Sequence, residues 1–216
     1  FLKINLVTDG DYISNVFKDE QFDYVFHFAA YAAEGLSPFI RTYNYDNNLR
    51  ATAGIVNECI KNDVTRLVFT STLAVYGHQD GNIFDENQVP KPIDPYGVAK
   101  YSVEVDLKLA SEQFGMEYNI VRPHNVLGKY QNIWDRYRNV IGIFIRKALT
   151  GNPLLVYGDG EQIRDWLYVE DHAEALFEVV TRGVIGETYN IGGNNEYKNI
   201  DVIKTICQIM EDLHPI

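Results

Sequence analysis

Tyr96 and Lys100 stand four residues apart in Asp94-Pro-Tyr-Gly-Val-Ala-Lys100, with Thr70-Ser-Thr-Leu-Ala-Val-Tyr-Gly77 just upstream. On a helix, positions i and i+4 share one face. The spacing therefore brings an ammonium beside a phenol. A free tyrosine titrates near pH ~10 and is a poor base at neutral pH, whereas a neighbouring cation favours the phenolate. The hydroxyl of Thr72, 24 residues before Tyr96, would complete a group able to move a proton to or from a carbinol. Tyr and Lys at this spacing also occur by chance on helices that do no chemistry, so the weight of the pair depends on what positions it.

The surrounding order supplies that context. Arg66-Leu-Val-Phe-Thr-Ser71 is a short β-rich run that delivers hydroxyl residues at its C-terminal end. In open parallel sheets, ligands bind outside the carboxyl ends of the strands. Asp94 before Pro95 reads as an N-cap followed by a first helical turn. Strand-like runs at Asp23-Tyr-Val-Phe-His-Phe28, Arg66–Thr70, Tyr118-Asn-Ile-Val-Arg122, Leu154-Leu-Val-Tyr157 and Thr188-Tyr-Asn-Ile191 alternate with helical candidates at 39–61, 95–114, 137–150, 170–182 and 199–213. Gly115 and Gly183 sit where helix C-caps are expected, and Asn199 where a helix begins. Strands alternating with helices predict an α/β fold with a parallel, doubly wound sheet. The turn-rich stretch 77–95 reads as a loop over the site.

Composition narrows the function class. The 216 residues are 46% hydrophobic and 23% charged, as in ordinary globular chains. A net charge of −11 argues against electrostatic binding to nucleic acid or anionic membranes. It leaves room for an anionic small ligand held by a local Arg. Cys59 and Cys207 form neither a disulfide framework nor a metal cluster, and the five His show no ligand spacing, so no metal site is expected. No apolar run approaches the ~20 residues of a membrane span and no signal peptide is visible, which fits a reducing cytoplasm.

These motifs together resemble the extended short-chain dehydrogenase/reductase superfamily, the NAD-dependent nucleotide-sugar epimerases and dehydratases, from about Phe22 to the C-terminus. The resemblance implies a Rossmann-type sheet, NAD as cofactor, a nucleotide-sugar substrate and a homodimer built on helices 39–61 and 95–114. It makes Tyr96 the general base or acid on the sugar hydroxyl, Lys100 its pKa-lowering partner and ribose ligand, Thr72 a second hydrogen bond to that hydroxyl, and Asn47 a brace for Lys100 and water. Asn47 could equally be a helix-surface residue. His27-Phe-Ala-Ala30 matches the family's NAD-contacting turn, with Phe28, Ala29 and Ala30 beside the cofactor and His27 packed inside the sheet. Thr70, Ser71, Tyr96, Lys100 and Pro123 would also line the cofactor. In Arg122-Pro-His-Asn125, a turn expected to meet the nicotinamide end, Asn125 would contact the sugar nucleotide. Arg164 would hold the diphosphate, since its planar fork suits phosphate oxygens; an ion pair with Asp165 or Asp171 is the competing reading. Arg136 and Arg138 are further candidates for the substrate side.

Departures from the pattern shape the expected activity. The family's 4,6-dehydratases carry Asp-Glu directly after the catalytic Thr, whereas this chain has Leu73-Ala74, which cannot transfer protons. The stretch from Arg164 to Asn199 reads as dehydratase-like, and the catalytic segment as 4-epimerase-like. The expectation is a UDP-glucose/UDP-galactose type 4-epimerase, with a 4,6-dehydratase or a non-catalytic NAD-binding relative as alternatives. No Gly-rich pyrophosphate loop precedes the first strand, and Asn5-Leu-Val-Thr-Asp9 replaces the family's adenine-side turn. The chain is accordingly expected to be a fragment that binds NAD weakly by itself. Its organisation is read as a truncated NAD-binding domain over 1–124, a substrate lobe over 125–160, a return to the first domain over 161–193, and the start of a C-terminal substrate lobe over 194–216.

Overall fold

Residues 1–79, 83–135, 137 and 139–213 are described by a computed structural model. Its elements are α1 (Gly10–Glu20), β1 (Tyr24–His27), α2 (Arg41–Tyr45), α3 (Ala51–Lys61), β2 (Arg66–Thr70), α4 (Pro95–Phe114), β3 (Glu117–Pro123), β4 (Asn125–Leu127), α5 (Val140–Leu149), β5 (Ile163–Tyr168), α6 (Val169–Arg182), β6 (Thr188–Ile191), β7 (Glu196–Lys198) and α7 (Asn199–Leu213). A π-helical stretch, Asp46–Arg50, runs α2 into α3. The chain divides into two compact units, Phe1–Pro123 with Glu174–Asn190, and His124–Ala173 with Ile191–Ile216.

The first unit is an α/β unit whose sheet has the order β1-β2-β3-β6. β1, β2 and β3 run parallel, with Phe26 opposite Val68 and Val68 opposite Asn119. Leu67, Val68 and Phe69 on central β2 are at most 1% exposed on both sides of the pleat, as a strand covered on two faces requires. On one side Ile13 and Phe17 of α1, Ile55 and Cys59 of α3 and Val103 and Leu107 of α4 close over Leu67 and Phe69. α4 spans the predicted range to the residue. Asp94 Oδ1 accepts from the N–H groups of Tyr96 and Gly97, each at 2.9 Å, and Gly115 ends the helix at φ 74°. Both satisfy helix-end groups that would otherwise lack partners.

The second unit carries a sheet of order β4-β5-β7, with β4 parallel and β7 antiparallel to β5. The strand expected at 154–157 does not form. Leu155, Val156 and Tyr157 are exposed, and the chain instead turns through Gly158 and Gly160 at φ 68° and 76°. β5 takes its place in the sheet with the sequence Ile-Arg-Asp-Trp-Leu-Tyr, whose polar first half hides it from a search for apolar runs. α1, β4 and β7 also went unread in the sequence.

His27 is buried and its Nε2 lies 2.9 Å from Thr52 Oγ1. Burial, with the Lys100 charge as a smaller second cause, pushes its pKa down to about 4. A base whose folded pKa lies below its unfolded value stabilises the fold fully above the unfolded pKa and loses that contribution as pH falls. Stability is therefore expected to drop between pH 6.5 and about 4, on the order of 3 kcal/mol from this group at ~1.4 kcal/mol per pH unit. Urea unfolding at a series of pH values checks this, and His27→Gln should flatten the acid limb.

Candidate active site

Four pieces of the first unit converge on Tyr96 and Lys100: the end of β2, the turn after it, the start of α4 and the π-helical stretch before α3. Each is held by a specific local device. Thr72 is the N-cap of a short 3-10 turn, Leu73–Val75, its Oγ1 accepting from Ala74 N–H at 3.2 Å. The first turn of α4 packs directly on that turn. A Cβ placed on Gly97 would sit 2.8 Å from the Ala74 carbonyl oxygen and 3.1 Å from Pro92 Cβ. The missing side chain at 97 thus lets the Tyr96 turn approach the Thr72 turn. Gly97→Ala is expected to force the two apart and to lower turnover, with little change in the far-UV circular dichroism that reports helix content.

Lys100 lies one turn beyond Tyr96, only 1% exposed. Its Nζ donates to the Thr70 carbonyl at 2.7 Å and stands 4.6 Å from the centroid of the Phe69 ring. Burial lowers its pKa to about 7, against an opposing pull from the Glu104 carboxylate. An ammonium has three donors, so two remain after the Thr70 contact. Thr70 Oγ1 is buried without a hydrogen-bond partner. Unpaired buried polar atoms are costly and mark places where a ligand can complete the set. This orphan hydroxyl beside a lysine with spare donors suits the ribose hydroxyls of a dinucleotide. Phe28 and Ala29 are exposed on the segment after β1, and Ala30 is half-buried. Ser71 is buried, and Pro123 ends β3 half-buried.

Asn47 behaves differently from expectation. It is half-buried, and its Nδ2 donates to the Tyr43 carbonyl in its own helix at 2.8 Å. The inward amides are Asn44 and Asn48, both 0% exposed. Asn44 Nδ2 donates to the Pro95 carbonyl at 2.8 Å, and Asn48 Nδ2 to Asn44 Oδ1 at 2.8 Å. Asn48 also grips the Tyr31 backbone, accepting from its N–H at 2.8 Å and donating to its carbonyl at 3.1 Å. This two-residue bridge ties the segment after β1 to the first turn of α4. The signal available in the sequence was the i, i+4 spacing of the two Asn.

Arg122 ends the strand run read at 118–122 and lies within β3. It points into the protein interior, where Nε and Nη2 bond the two oxygens of Glu104 at 3.0 and 2.5 Å and Nη1 donates to Tyr76 Oη at 2.7 Å. Sequence reasoning passed over Glu104, although Tyr96, Lys100 and Glu104 repeat at four-residue intervals along one face of α4.

In the second unit, Asn125 is exposed and makes only a weak 3.5 Å contact with the Asp165 carbonyl. Arg164 is exposed, with Nη1 donating to the Ile163 carbonyl at 2.8 Å. The Asp165 carboxylate is turned elsewhere: it accepts from Gly193 N–H at 2.9 Å and lies 3.7 Å from His124 Nδ1. The Arg164–Asp165 ion pair does not form. Arg136 and Arg138 lie outside the described residues. Among the described residues no helix is long and apolar enough to cross a membrane, and no group of three or more His, Cys, Asp or Glu could hold a metal ion.

Comparison with known proteins matches this geometry to a family. A model of the NAD dependent epimerase/dehydratase family matches residues 3–192. A dTDP-glucose 4,6-dehydratase of Neisseria meningitidis serogroup B is 43% identical over 72% of this chain and 43% of its own length. One from Escherichia coli is 38% identical over 96% of this chain and 61% of its own. The chain thus spans less than two thirds of the length of these curated relatives. Among solved structures, a UDP-glucose 4-epimerase from Thermotoga maritima with UDP-glucose superposes with a TM-score of 0.90 at 28% identity, covering 97% of this chain and 68% of that one. A dTDP-glucose 4,6-dehydratase from Bacillus anthracis in complex with NAD gives 0.84 at 30% identity, over 97% and 64%. With the family model matching residues 3–192 and relatives of this family at 38–43% identity, this chain belongs to the NAD-dependent epimerase/dehydratase family.

Proposed function

We propose that this chain is the catalytic part of a nucleotide-sugar 4-epimerase that works through a transient 4-keto sugar. The observation that carries this reading is the absence of proton-transferring side chains directly after Thr72: Leu73 and Ala74 occupy the 3-10 turn against which α4 packs. A site so built can take a proton from a hydroxyl and return it, but those two positions cannot help expel water. Bound NAD supplies the hydride acceptor and donor for C4 of the sugar. Tyr96 takes the proton from the C4 hydroxyl and gives it back after the keto sugar has turned its other face. Thr72 bonds the same oxygen and fixes its distance from Tyr96. Lys100 holds positive charge beside the phenol and offers its remaining donors to the ribose, next to Thr70 Oγ1. Phe28, Ala29, Ala30, Ser71 and Pro123 complete the cofactor side, and Asn125 and Arg164 take the sugar nucleotide. Asn44 and Asn48 fill the bracing role first read at Asn47.

A second reading is supported by the names of the curated relatives, which are dTDP-glucose 4,6-dehydratases. Incubation of the intact protein with UDP-glucose and with dTDP-glucose separates the two. Equilibration of glucose and galactose forms is expected. A 4-keto-6-deoxy product, seen by its absorbance in alkali, would instead establish the dehydratase.

The homodimer implied by the family draws support from the outer face of α4, where Val98, Val105 and Leu109 are 38–45% exposed. Sedimentation should give a mass near twice the monomer, and a Val105→Lys change should halve it. Two unpaired cysteines, Cys59 and Cys207, suit a reducing cytoplasm.

A further inference from the structure

Behind the Tyr96–Lys100 pair lies a buried polar network that proton transfer itself does not use. Glu104 is 6% and Arg122 4% exposed, and their side chains form a two-pronged ion pair. Ser71 Oγ donates a short hydrogen bond to Glu104 Oε1. Arg122 passes the chain on to Tyr76, whose ring lies 4.8 Å below the guanidinium and whose hydroxyl donates to Asn190 Oδ1 at 2.9 Å. Asn190 reaches the loop before α4, with its N–H on Glu86 Oε1 at 2.6 Å and its Nδ2 on the Phe84 carbonyl at 3.3 Å. The carboxylate thus sits one helical turn past Lys100, fixed from β2 through Ser71 and from β3 through Arg122.

Burying a carboxylate is costly unless it is paired and hydrogen-bonded. A hydrophobic residue here would pack against the sheet at less cost. The position of the charge gives it a use. Burial of Lys100 favours the neutral amine, against the pull of the Thr70 carbonyl and the Phe69 ring face, and a neutral amine would leave Tyr96 without its cation. We infer that Glu104 is a positioning residue of the active site, the counter-charge that raises the share of Lys100 present as ammonium at neutral pH while its hydrogen bond to Ser71 locks the segment leading to Thr72. The inference rests on the reading of Tyr96 and Lys100 as the reacting pair.

The direction agrees with the charges around Lys100. Burial alone drives its pKa down, and the Glu104 carboxylate opposes that fall. The other ionisable groups in or next to this network are His27 of β1, Arg122 of β3, Tyr76 beyond β2 and Tyr96 of α4, while Arg66, Glu117 and Tyr118 lie toward the opposite ends of β2 and β3. His27 is neutral above about pH 4, so it adds no charge at neutral pH. Arg122 is a cation held against Glu104 and Tyr76, and it offsets part of the pull of the carboxylate on Lys100. Glu104 is the anion that holds the Lys100 pKa up against burial.

The test uses the intact NAD-bound protein with lysine labelled at Cε, the Lys100 signal being assigned by its loss in Lys100→Met. In Glu104→Gln the Lys100 titration midpoint should fall by about one to two pH units. The alkaline limb of the pH–rate profile should move down with it, so that activity at pH 8 drops about tenfold per unit of displacement while activity near pH 6 suffers much less. Because Glu104→Gln leaves Arg122 buried without its partner, Glu104→Gln with Arg122→Met serves as the folded counterpart, and a smaller fall of the midpoint is expected there, since a neighbouring cation is lost with the anion. An unmoved Lys100 midpoint, or a loss of rate equal at all pH values, overturns the inference. The midpoint does not depend on turnover. If Tyr96→Phe retains full activity, the function reading fails, yet the Lys100 titration still judges the role of Glu104.

Discussion

Tyr96→Phe is expected to lower turnover by about 10²–10⁴-fold, the usual worth of a positioned proton-transfer group. The effect should be almost wholly chemical. Phe keeps the ring and its volume, and the Tyr96 contacts that set the first turn of α4 are made by its backbone, whose N–H is taken by Asp94 at 2.9 Å. Helix content should therefore stay close to that of the parent protein. Saturation of the nucleotide sugar should also change little, since only the phenolic oxygen is removed. Steady-state rates beside far-UV circular dichroism decide the matter. A rate within a few fold of the parent would show that another group takes the proton. The change also separates Tyr96 from Gly97, its neighbour: one substitution removes the reacting atom, the other displaces the turn that carries it.

Arg122→Met should produce the largest loss of stability, about 3–5 kcal/mol, because removing one partner of a buried pair leaves the other charge uncompensated. Small domains hold only ~5–15 kcal/mol in all, so this change threatens folding itself. The loss has three sources here: the bonds to both Glu104 oxygens, the bond to Tyr76 and the stacking over the Tyr76 ring. Urea denaturation should show a reduced midpoint. Adding Glu104→Gln to Arg122→Met should recover much of the loss, since the remaining carboxylate is then neutralised. Recovery would mean that the single-variant defect came from an unpaired charge, whereas two losses that simply add would mean that packing around Arg122 dominates.

What could be read in advance followed the range of the physics involved. α4 was legible end to end because its signals are local: Asp94 and Pro95 at the start, Gly115 at the finish, Tyr96 and Lys100 on one face. β2 was legible because a strand covered on both faces is apolar through its middle, and β1 because its aromatic and β-branched run suits a strand even where one side stays exposed. β5 was not, since Arg164 and Asp165 lie in its half-open end and break the pattern. The run at 154–157 misled for the opposite reason: its apolar side chains remain exposed, and hydrophobicity alone does not supply a neighbouring strand. α1 offers little beyond Ile13 and Phe17 for burial, one pair at i, i+4. Asn47 was read from resemblance alone, whereas the inward pair Asn44 and Asn48 is set by which helical face meets α4 and the segment after β1. Glu104 and Arg122 meet across 18 residues of sequence, a distance over which no periodicity announces a partner.

The outer side of β1 has one further consequence. Among the described residues β1 pairs with β2 alone, and Tyr24 and Phe26 on it, with Phe28 just beyond, are 39–52% exposed. Unsatisfied amides and carbonyls along such a margin, flanked by greasy rings, can template the addition of a foreign strand. Concentrated solutions of this polypeptide should therefore slowly thicken into β-rich aggregates, held back at low ionic strength by mutual repulsion of its many anionic groups and released as salt is added.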